Sequence, residues 1–250
     1  MIDLHSHILF GIDDGSESLE ESIKILETAK NNGVTDIVLT PHYIYNSEYN
    51  SKKSKNTRIL NKLKKEVEGI NLYLGNEVFI TDNLLELIET KEIATLNNSR
   101  YVLIELPLCS SYHNLHDVIF KLKCKGYIPI IAHPERYLSI QGNPESITHL
   151  LEHGALLQSN IASVVGFYGK RAQKTIKYLL KNRYIQFMSS DVHHSSYSTY
   201  DMLKKATRKM KFITNKEYVN ELLVENPKKV LENIEIEYDV DRKVKKGLFK

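Results

Sequence analysis

The sequence predicts a single α/β domain of seven β/α units, closed into a barrel or a strongly curved sheet. Short apolar runs rich in β-branched residues alternate with amphipathic helical patterns, with one such pair roughly every 30 residues. A repeated strand–helix–strand order is typical of a parallel sheet with right-handed crossovers. A chain of 250 residues is also long enough for an α/β barrel that forms one domain. We therefore expect residues 1–250 to form one domain, with a polar, basic tail from about residue 234.

The predicted strands are short, and helical patterns or turn residues separate them. They are Ile2–His5, Asp36–Thr40, Asn71–Leu74 continuing to Glu77, Tyr101–Leu106, Ile128–Ala132, Ala155–Gln158 and Ile185–Met188. The first predicted helix is Leu19–Asn31, and it ends at Asn32-Gly33, which is a C-cap signal. Later helices are predicted around Leu60–Val67, Leu84–Ile88, Val118–Leu122, Ile147–Leu151, Lys170–Lys181, Tyr200–Met210 and Asn226–Leu231. The segment Tyr43–Lys55 is predicted to be a mobile loop over one face.

The composition excludes several classes of function. A formal net charge of +3 is too small to indicate nucleic acid binding. No apolar run reaches the roughly 18 residues that a membrane-spanning helix needs, and the chain begins directly with a predicted strand rather than a signal peptide. Cys109 and Cys124 match neither a disulfide framework nor a metal motif, so we expect reduced thiols in a cytoplasmic protein.

The stretch His5-Ser6-His7 ends the first predicted strand. Successive side chains on a strand point to opposite faces, so these two imidazoles share one face. Neutral imidazole is the commonest metal ligand in proteins. Two hydrogen-bonded histidines near a chain terminus would give the same pattern, so this motif alone does not decide between the two interpretations.

Acidic residues and histidines recur at the ends of the later predicted strands. In closed α/β barrels the C-terminal ends of the strands carry the chemistry. The residues found there are His5, His7, His42, Glu77, Glu105, His133, Asn160, Asp191 and His193. A satisfied buried acid, a core histidine or a helix cap would explain any one of them. Those explanations do not account for six of seven strands that end in an imidazole or a carboxylate, so the sequence predicts a metal centre.

The predicted ligands are imidazoles and carboxylates, without a thiolate. This set suits divalent ions such as manganese, iron, zinc or cobalt, with magnesium also possible, rather than a structural zinc built from cysteine. One ion cannot bind so many ligands, so two or three ions that share a bridging carboxylate fit better. Paired ions are typical of phosphoryl transfer, because they bind the attacking and the leaving oxygen together.

Three segments carry a resemblance to a known family: Met1–Gly15, Ile131–Arg136 and Ser189–His193. With them the chain resembles the capsular and exopolysaccharide tyrosine-protein phosphatases of Gram-positive bacteria, the CpsB/CapC type, within the polymerase and histidinol phosphatase (PHP) superfamily. The resemblance runs from residue 1 to about residue 233. It implies a distorted (β/α)7 barrel of the TIM-like PHP fold and three metal ions, usually manganese.

The resemblance also implies a set of ligands. The first ion would take His5, His7, Glu77 and Asp191, the second Glu77, Glu105 and His133, and the third His42, His193 and Asp14. The spacing does not separate Asp13 from Asp14, and the preference for Asp14 comes from the resemblance. Arg136 would hold the phosphate, so we expect Arg136, His133 and Asp191 to carry the reaction.

The chain departs from the family pattern after Asp191-Val192-His193, where such relatives often carry an Arg-Pro pair. Residues 194–200 read HSSYSTY and contain no arginine. We therefore do not expect a second arginine contact to the phosphate.

The implied reaction is hydrolysis of phosphotyrosine by a hydroxide that bridges two metal ions. By the same resemblance, the partner is the Tyr-rich tail of a bacterial tyrosine kinase that controls capsular or exopolysaccharide synthesis. The basic side chains of Lys52, Lys53, Lys55 and Arg58 are candidates for attracting such a tail, although a solvated helix face explains them better.

The sequence is also compatible with three other functions. One is a small-molecule phosphatase, such as a histidinol phosphatase. A second is an amidohydrolase barrel, which also begins with His-x-His but commonly bridges its metals with a lysine on the fourth strand, where this chain has Glu105. The third is a non-catalytic regulatory module that only binds metal.

Overall fold

The computed structural model describes residues 1–110 and 112–238 and confirms the predicted α/β class. Every pairing between its named strands is parallel. The strands are β1 (Ile2–Asp3), β2 (Asp36–Leu39), β3 (His42–Tyr43), β4 (Asn71–Leu74), β5 (Glu77–Phe79), β6 (Tyr101–Glu105), β7 (Ile128–Ala132), β8 (Leu156–Asn160) and β9 (Phe187–Ser189). One sheet has the strand order β1-β2-β4 and the other β3-β5-β6-β7-β8-β9.

The two sheets are parts of one curved sheet with seven strand positions. After a break of two residues, β3 follows β2, and β5 follows β4 in the same way, so each of these pairs occupies one predicted strand position. The β2–β4 pairing accordingly continues as the β3–β5 pairing. Beyond β1, Ser6 forms an isolated parallel bridge with Val192, just after β9. The first and last strands are therefore neighbours, as the predicted (β/α)7 barrel requires.

Side chains hold the first strand against the last. Asp3 Oδ1 accepts the backbone N–H of Ser190 at 3.0 Å, and Asp3 Oδ2 accepts the Tyr200 hydroxyl at 2.7 Å. The Ser189 hydroxyl accepts the N–H of Leu4 at 3.3 Å. Towards the last strand these side-chain hydrogen bonds take the place of a regular ladder, and β1 ends at Asp3 rather than at the predicted His5.

Helices follow most strands and cover the outside of the sheet. α1 begins at Leu19, directly after the N-cap Ser18, whose side chain accepts the N–H of Glu21. The helices are α1 (Leu19–Asn31), α2 (Lys53–Glu66), α3 (Leu84–Glu89), α4 (Leu115–Cys124), α5 (Leu138–Gly142), α6 (Thr148–Glu152), α7 (Ile161–Val165), α8 (Gly169–Lys181), α9 (Leu203–Ile213), α10 (Lys216–Asn220) and α11 (Asn226–Leu231). In the described part of the chain, none of them has the length and apolar character needed to cross a bilayer.

The strands divide the core into two hydrophobic clusters. Along β6, Val102 and Ile104 belong to the larger cluster, which packs against the helices, whereas Leu103 belongs to the smaller one. Alternate residues of a strand face opposite sides, so the smaller cluster fills the inside of the curved sheet. Glu105 follows Leu103 by two residues and therefore continues the inner face at the C-terminal end of β6. The inner face is thus apolar at one end and polar at the other.

The structure differs from the prediction most clearly in three regions. The predicted loop Tyr43–Lys55 is shorter, because Tyr43 pairs in β3 and α2 begins at Lys53. The five-residue helix α7 was not predicted, since its sequence IASVV reads as a continuation of β8. Within the predicted tail, Ile236 is buried in the smaller cluster, and residues 239–250 lie outside the described residues.

Replacing Tyr200 with phenylalanine tests the contact between the first and last strands. Asp3 is fully buried, and burial raises the pKa of its carboxyl group. Without the Tyr200 hydroxyl, Asp3 loses a donor, so we expect the free energy of unfolding to fall by about 1–3 kcal/mol. Chemical denaturation measures this change. Tyr45→Phe is the control, because Tyr45 is exposed and the change should stay within about 0.5 kcal/mol. Equal effects of the two variants would contradict the role of Tyr200.

Candidate metal centre

Side chains from the first, third and last strand positions converge at the C-terminal end of the sheet. His5 and His7 present their Nε2 atoms to each other at 3.1 Å. Glu77 Oε2 lies 3.2 and 3.3 Å from these nitrogens, and Asp191 Oδ1 lies 3.4 and 3.5 Å from them. All four side chains are buried. The structure thus brings together the four residues that the resemblance groups around the first ion.

Glu77 occupies the middle of the cluster. Its Oε1 lies 2.9 Å from His133 Nε2, and its Oε2 lies 3.1 Å from His42 Nδ1. Glu105 approaches the same two histidines at 3.8 Å each. Glu77 is therefore close to four imidazoles through its two oxygens, which is the position expected of a bridging ligand.

A third group forms around Asp14. Its Oδ1 lies 3.5 Å from His42 Nε2 and 3.6 Å from His193 Nε2. The ring of His193 in turn stacks on that of His7, with 4.1 Å between ring centroids. Of three further groups of possible ligand atoms, one shares His7 with this group and one shares His42, and the third is linked to those two through His5 and Glu77. The predicted ligands therefore form one continuous cluster.

The structure separates Asp13 from Asp14, which the sequence does not. Asp13 Oδ2 accepts hydrogen bonds from His7 Nδ1 and from the backbone N–H of His42, both at 2.8 Å. Asp13 therefore orients the ring of His7 through Nδ1, on the side away from the cluster. Asp14 instead faces the Nε2 atoms of His42 and His193. Such a carboxylate behind a histidine fixes its tautomer and leaves Nε2 free for a metal.

A close backbone approach at Gly15 sets this arrangement of the two aspartates. The chain turns back after Phe10, and the N–H of Ser16 donates to the carbonyl of His7 at 3.0 Å. A Cβ atom at Gly15 would lie only 2.1 Å from that carbonyl oxygen. Only glycine fits here without displacing the loop that carries Asp13 and Asp14.

The donor set fits divalent cations. Ligand atoms that lie about 2.1 Å from one ion are roughly 3.0–3.4 Å from each other. The Nε2 atoms of His5 and His7 lie 3.1–3.5 Å from each other and from the nearest oxygens of Glu77 and Asp191, which is close to this spacing. Among the described residues, buried His42 Nδ1 and Glu77 Oε2 have no hydrogen bond, although buried polar atoms normally have one. Cations among these atoms would satisfy them.

Burial and neighbouring charges shift the pKa values of this cluster strongly. Burial disfavours the charged form of His5, but Glu77 and Asp191 outweigh it and raise its pKa to about 9. Burial and the neighbouring His7 lower the pKa of His193 to about 4. Burial and the negative charge of Glu77 raise the pKa of Glu105 to about 8. Without cations, the site therefore holds protons that a metal ion would displace.

Two amide side chains connect ligands from opposite sides of the cluster. Gln158 Oε1 lies 2.8 Å from His5 Nδ1, and Gln158 Nε2 donates to Asn160 Oδ1 at 3.0 Å. Asn160 Nδ2 then donates to Asp191 Oδ2 at 2.6 Å. Asn160 is expected from its position at a strand end, whereas Gln158 was missed. Its spacing of two residues from Asn160, on the same strand face, is the signal that could have found it.

Arg136 reaches the same pocket from a short turn after β7. Its Nη1 donates to Asp191 Oδ2 at 3.1 Å, and its guanidinium lies 4.7 Å from the centre of the Tyr168 ring. The turn begins at His133, which has a φ of 32°, and Asp191 has a φ of 51°. Left-handed conformations of this kind cost about 1–3 kcal/mol each and persist where surrounding contacts hold them. Both strained residues are therefore fixed by the cluster in which they take part.

The cluster forms the floor of a pocket of about 520 Å³, which we call the catalytic pocket. Its sides include Tyr49, Phe167, Tyr168 and Tyr197. The rings of Phe167 and Tyr197 stack with 6.3 Å between centroids, and about half of each side chain is exposed. The sequence did not predict this aromatic rim. Tyr197 lies in residues 194–200, for which the sequence predicted only that an arginine contact is missing.

Comparisons with known proteins agree with this geometry. A family model described as capsular polysaccharide synthesis, CpsB/CapC, matches residues 1–232. CapC of Staphylococcus aureus is 38% identical over 93% of this chain and 92% of its own length. The tyrosine-protein phosphatase CpsB of Streptococcus pneumoniae is 33% identical over 92% of this chain and 98% of its own length.

The fold agrees with that of a solved relative. This relative belongs to the crystal structures of YwqE from Bacillus subtilis and CpsB from Streptococcus pneumoniae, which are described as unique metal-dependent tyrosine phosphatases. The TM-score is 0.88 at 30% identity, over 96% of this chain and 98% of that one. The predicted fold class is confirmed.

We expect divalent cations to release protons when they bind the metal-free protein below about pH 9, the pKa of His5. His5 is protonated below this pKa, and its Nε2 must lose the proton to bind a metal. The apparent affinity should therefore rise with pH up to at least about pH 9. Calorimetric titrations in two buffers with different ionisation enthalpies measure the released protons. A binding heat that does not depend on the buffer would contradict this expectation.

Asparagine substitutions should separate the two aspartates. Asp14→Asn removes a half-exposed carboxylate, so we expect elemental analysis to find one cation fewer, with unfolding free energy of the metal-free protein changed by less than about 0.5 kcal/mol. Asp13→Asn replaces one acceptor oxygen with an amide N–H, which would face either the donors of His7 and His42 or the backbone N–H of Gly15. We expect that variant to lose about 1–3 kcal/mol of stability even without metal. The reverse pattern would exchange the two roles.

Proposed function

The chain belongs to the CpsB/CapC family of capsular polysaccharide synthesis proteins, and from this membership we propose how it acts as a metal-dependent tyrosine-protein phosphatase. The observation that carries it is the convergence of nine predicted ligands and Arg136 on one pocket with an aromatic rim.

Three divalent cations would share the cluster, with manganese as the metal that the family resemblance favours. The first would bind His5, His7, Glu77 and Asp191, the second Glu77, Glu105 and His133, and the third Asp14, His42 and His193. The mutual distances within these groups support the assignment. When bound, the ions supply a water molecule that is ionised near neutral pH and positive charge for the phosphoryl oxygens.

The chain itself keeps the ligand atoms in the required protonation state. Asp13 and Gln158 each face the Nδ1 atom of a first-strand histidine at 2.8 Å. With the proton held on Nδ1, the Nε2 atoms of His5 and His7 point into the cluster as free electron pairs. Asn160 and Arg136 donate to the outer oxygen of Asp191, which leaves the other oxygen directed at the histidines.

Arg136 is the group that would bind the phosphate directly. Its side chain is about three-quarters buried, lines the catalytic pocket and lies against Tyr168. A planar guanidinium can donate two parallel hydrogen bonds to a phosphoryl group, which a lysine cannot. Asp191 and Tyr168 hold the guanidinium in place before the substrate arrives.

The aromatic rim favours an aryl phosphate over an aliphatic one. Phe167, Tyr168 and Tyr197 offer ring faces at the mouth of the catalytic pocket. An aromatic ring packed against them would gain about 0.5–1.5 kcal/mol per ring pair beyond the area that it buries. The phenolate of tyrosine is also a better leaving group than an aliphatic alkoxide, so the reaction depends less on a general acid.

The partner we propose is a tyrosine kinase that regulates capsular or exopolysaccharide synthesis, dephosphorylated on its Tyr-rich tail. The exposure of the rim residues Phe167 and Tyr197 supports a polypeptide substrate. Both cysteines are free and exposed, which is consistent with a cytoplasmic location where thiols stay reduced.

A direct assay tests the function. We expect the purified protein to hydrolyse a phosphotyrosine peptide and to lose this activity when a chelator removes the metal. Of manganese, iron, zinc, cobalt and magnesium, added manganese should restore the highest activity. Elemental analysis of the same sample counts the ions. Efficient turnover of histidinol phosphate without turnover of phosphotyrosine would favour the small-molecule phosphatase. Bound metal without any turnover would favour the non-catalytic module.

Arg136→Lys is the matched variant for this assay. It keeps the positive charge but loses the planar pair of donors, which are worth about 1.5–3 kcal/mol when the partner is charged. We expect kcat/KM for phosphotyrosine to fall about tenfold to a hundredfold, with the metal content unchanged. Wild-type kinetics in Arg136→Lys would remove Arg136 from substrate binding.

A further inference from the structure

A second concave surface lies between α8 and α9, and we call it the basic groove. It encloses about 910 Å³. Apolar side chains line part of it, and among them Phe212 has 93% of its surface exposed. The cationic side chains that line it are Lys170, Lys174, Lys177, Lys181, Arg208 and Lys209.

The positive charge of the chain is concentrated on these two helices. α8 and α9 each contain five lysine or arginine residues and no aspartate or glutamate. The whole chain has a formal net charge of only +3. The rest of the sequence is therefore net negative, and the two basic helices stand apart from it.

The cations of the basic groove lack acidic partners in the part of the chain that the structure describes. None of the six forms an ion pair there, although pairs do form elsewhere, such as Lys125 with Glu89 at 3.2 Å. A solvated helix face would explain lysines alone. It does not explain a nearly fully exposed phenylalanine in the same groove, because such a side chain gains free energy when another surface covers it.

The residues of the basic groove follow those of the catalytic pocket closely along the chain. Phe167 and Tyr168 line the catalytic pocket, and Lys170, two residues further on, lines the groove. From there α8 runs for 13 residues, or about 20 Å. About six extended residues span this distance. A polypeptide with its phosphotyrosine in the pocket can therefore reach along the groove.

We propose that the basic groove binds an acidic segment of the same polypeptide whose phosphotyrosine enters the catalytic pocket. This inference rests on the proposed phosphatase function. Carboxylates or further phosphate groups of the segment pair with the groove cations, and an apolar side chain packs on Phe212. The groove then selects among phosphotyrosine substrates without touching the reacting atoms, mainly by lowering KM.

The concave shape favours a chain segment over an anionic membrane. Cations on the two helices that form the walls can surround a peptide, whereas a flat bilayer surface cannot enter between them. The position of Lys170, two residues after Tyr168 of the catalytic pocket, also favours one molecule that occupies both.

Two peptides with one phosphotyrosine each test the proposal on the metal-loaded protein. One carries about six aspartate or glutamate residues beside the phosphotyrosine, the length that spans α8, and the other carries glutamines there. We expect kcat/KM to be about tenfold higher for the acidic peptide through a lower KM, since several exposed ion pairs act together. Added salt should reduce the preference.

Two triple variants with equal loss of charge locate the effect. Lys174→Gln with Lys177→Gln and Arg208→Gln changes the basic groove and should abolish the preference. Lys204→Gln with Lys205→Gln and Lys211→Gln changes cations of α9 that do not line the groove, and should keep it. Both should hydrolyse para-nitrophenyl phosphate at the wild-type rate. Full preference in the first variant, or equal loss in both, overturns the docking proposal.

Two further measurements separate the remaining outcomes. If the first variant loses binding to vesicles that contain anionic phospholipid while its peptide preference stays intact, the groove is a membrane site and the proposal fails. Fluorescence anisotropy with a labelled acidic peptide without phosphotyrosine tests the groove independently of catalysis. Binding there without turnover of any aryl phosphate would refute the phosphatase function alone, and turnover without binding or preference would refute the groove alone.

Discussion

The burial of several carboxylates in one small volume is the constraint on which the rest of the site depends. Glu77 and Asp191 are almost fully buried, and buried carboxylates are stable only beside compensating positive charge. The surrounding imidazoles give that charge when they are protonated, which is why the pKa of His5 rises in spite of burial. Divalent cations compensate the same carboxylates more strongly. Folding therefore prepares a cluster whose electrostatic balance favours metal.

The closure of the sheet assembles this cluster. His5 and His7 follow the first strand and Asp191 follows the last, so they meet only if those strands are neighbours. Asp3 links the two strands through the N–H of Ser190, and the bridge between Ser6 and Val192 continues the pairing. The same short region thus supplies both the closing contacts and the ligands. A change that opens the sheet at this point would also separate the ligands.

The strand ends were predictable because two simple rules act together. Parallel strands end at one edge, and side chains two residues apart share a face, so the positions of Glu105 and His133 could be inferred from the sequence. The division of roles between Asp13 and Asp14 could not be inferred from such rules. It depends on the close approach at Gly15 and on which aspartate meets His7, and neither follows a periodic pattern. Rim residues such as Tyr197 lie in loops, where no spacing rule applies.

The separation of charge within the chain explains why the catalytic pocket needs cations. Its acidic residues would repel a phosphate dianion. Among the described residues that line the pocket, Arg136 is the only arginine or lysine. The segment after His193 contributes His194 and Tyr197 instead of a second guanidinium. Bound metal must therefore supply most of the positive charge that a phosphate meets there. The lysine-rich helices lie outside the pocket, so they can attract an anionic polypeptide but cannot replace that metal.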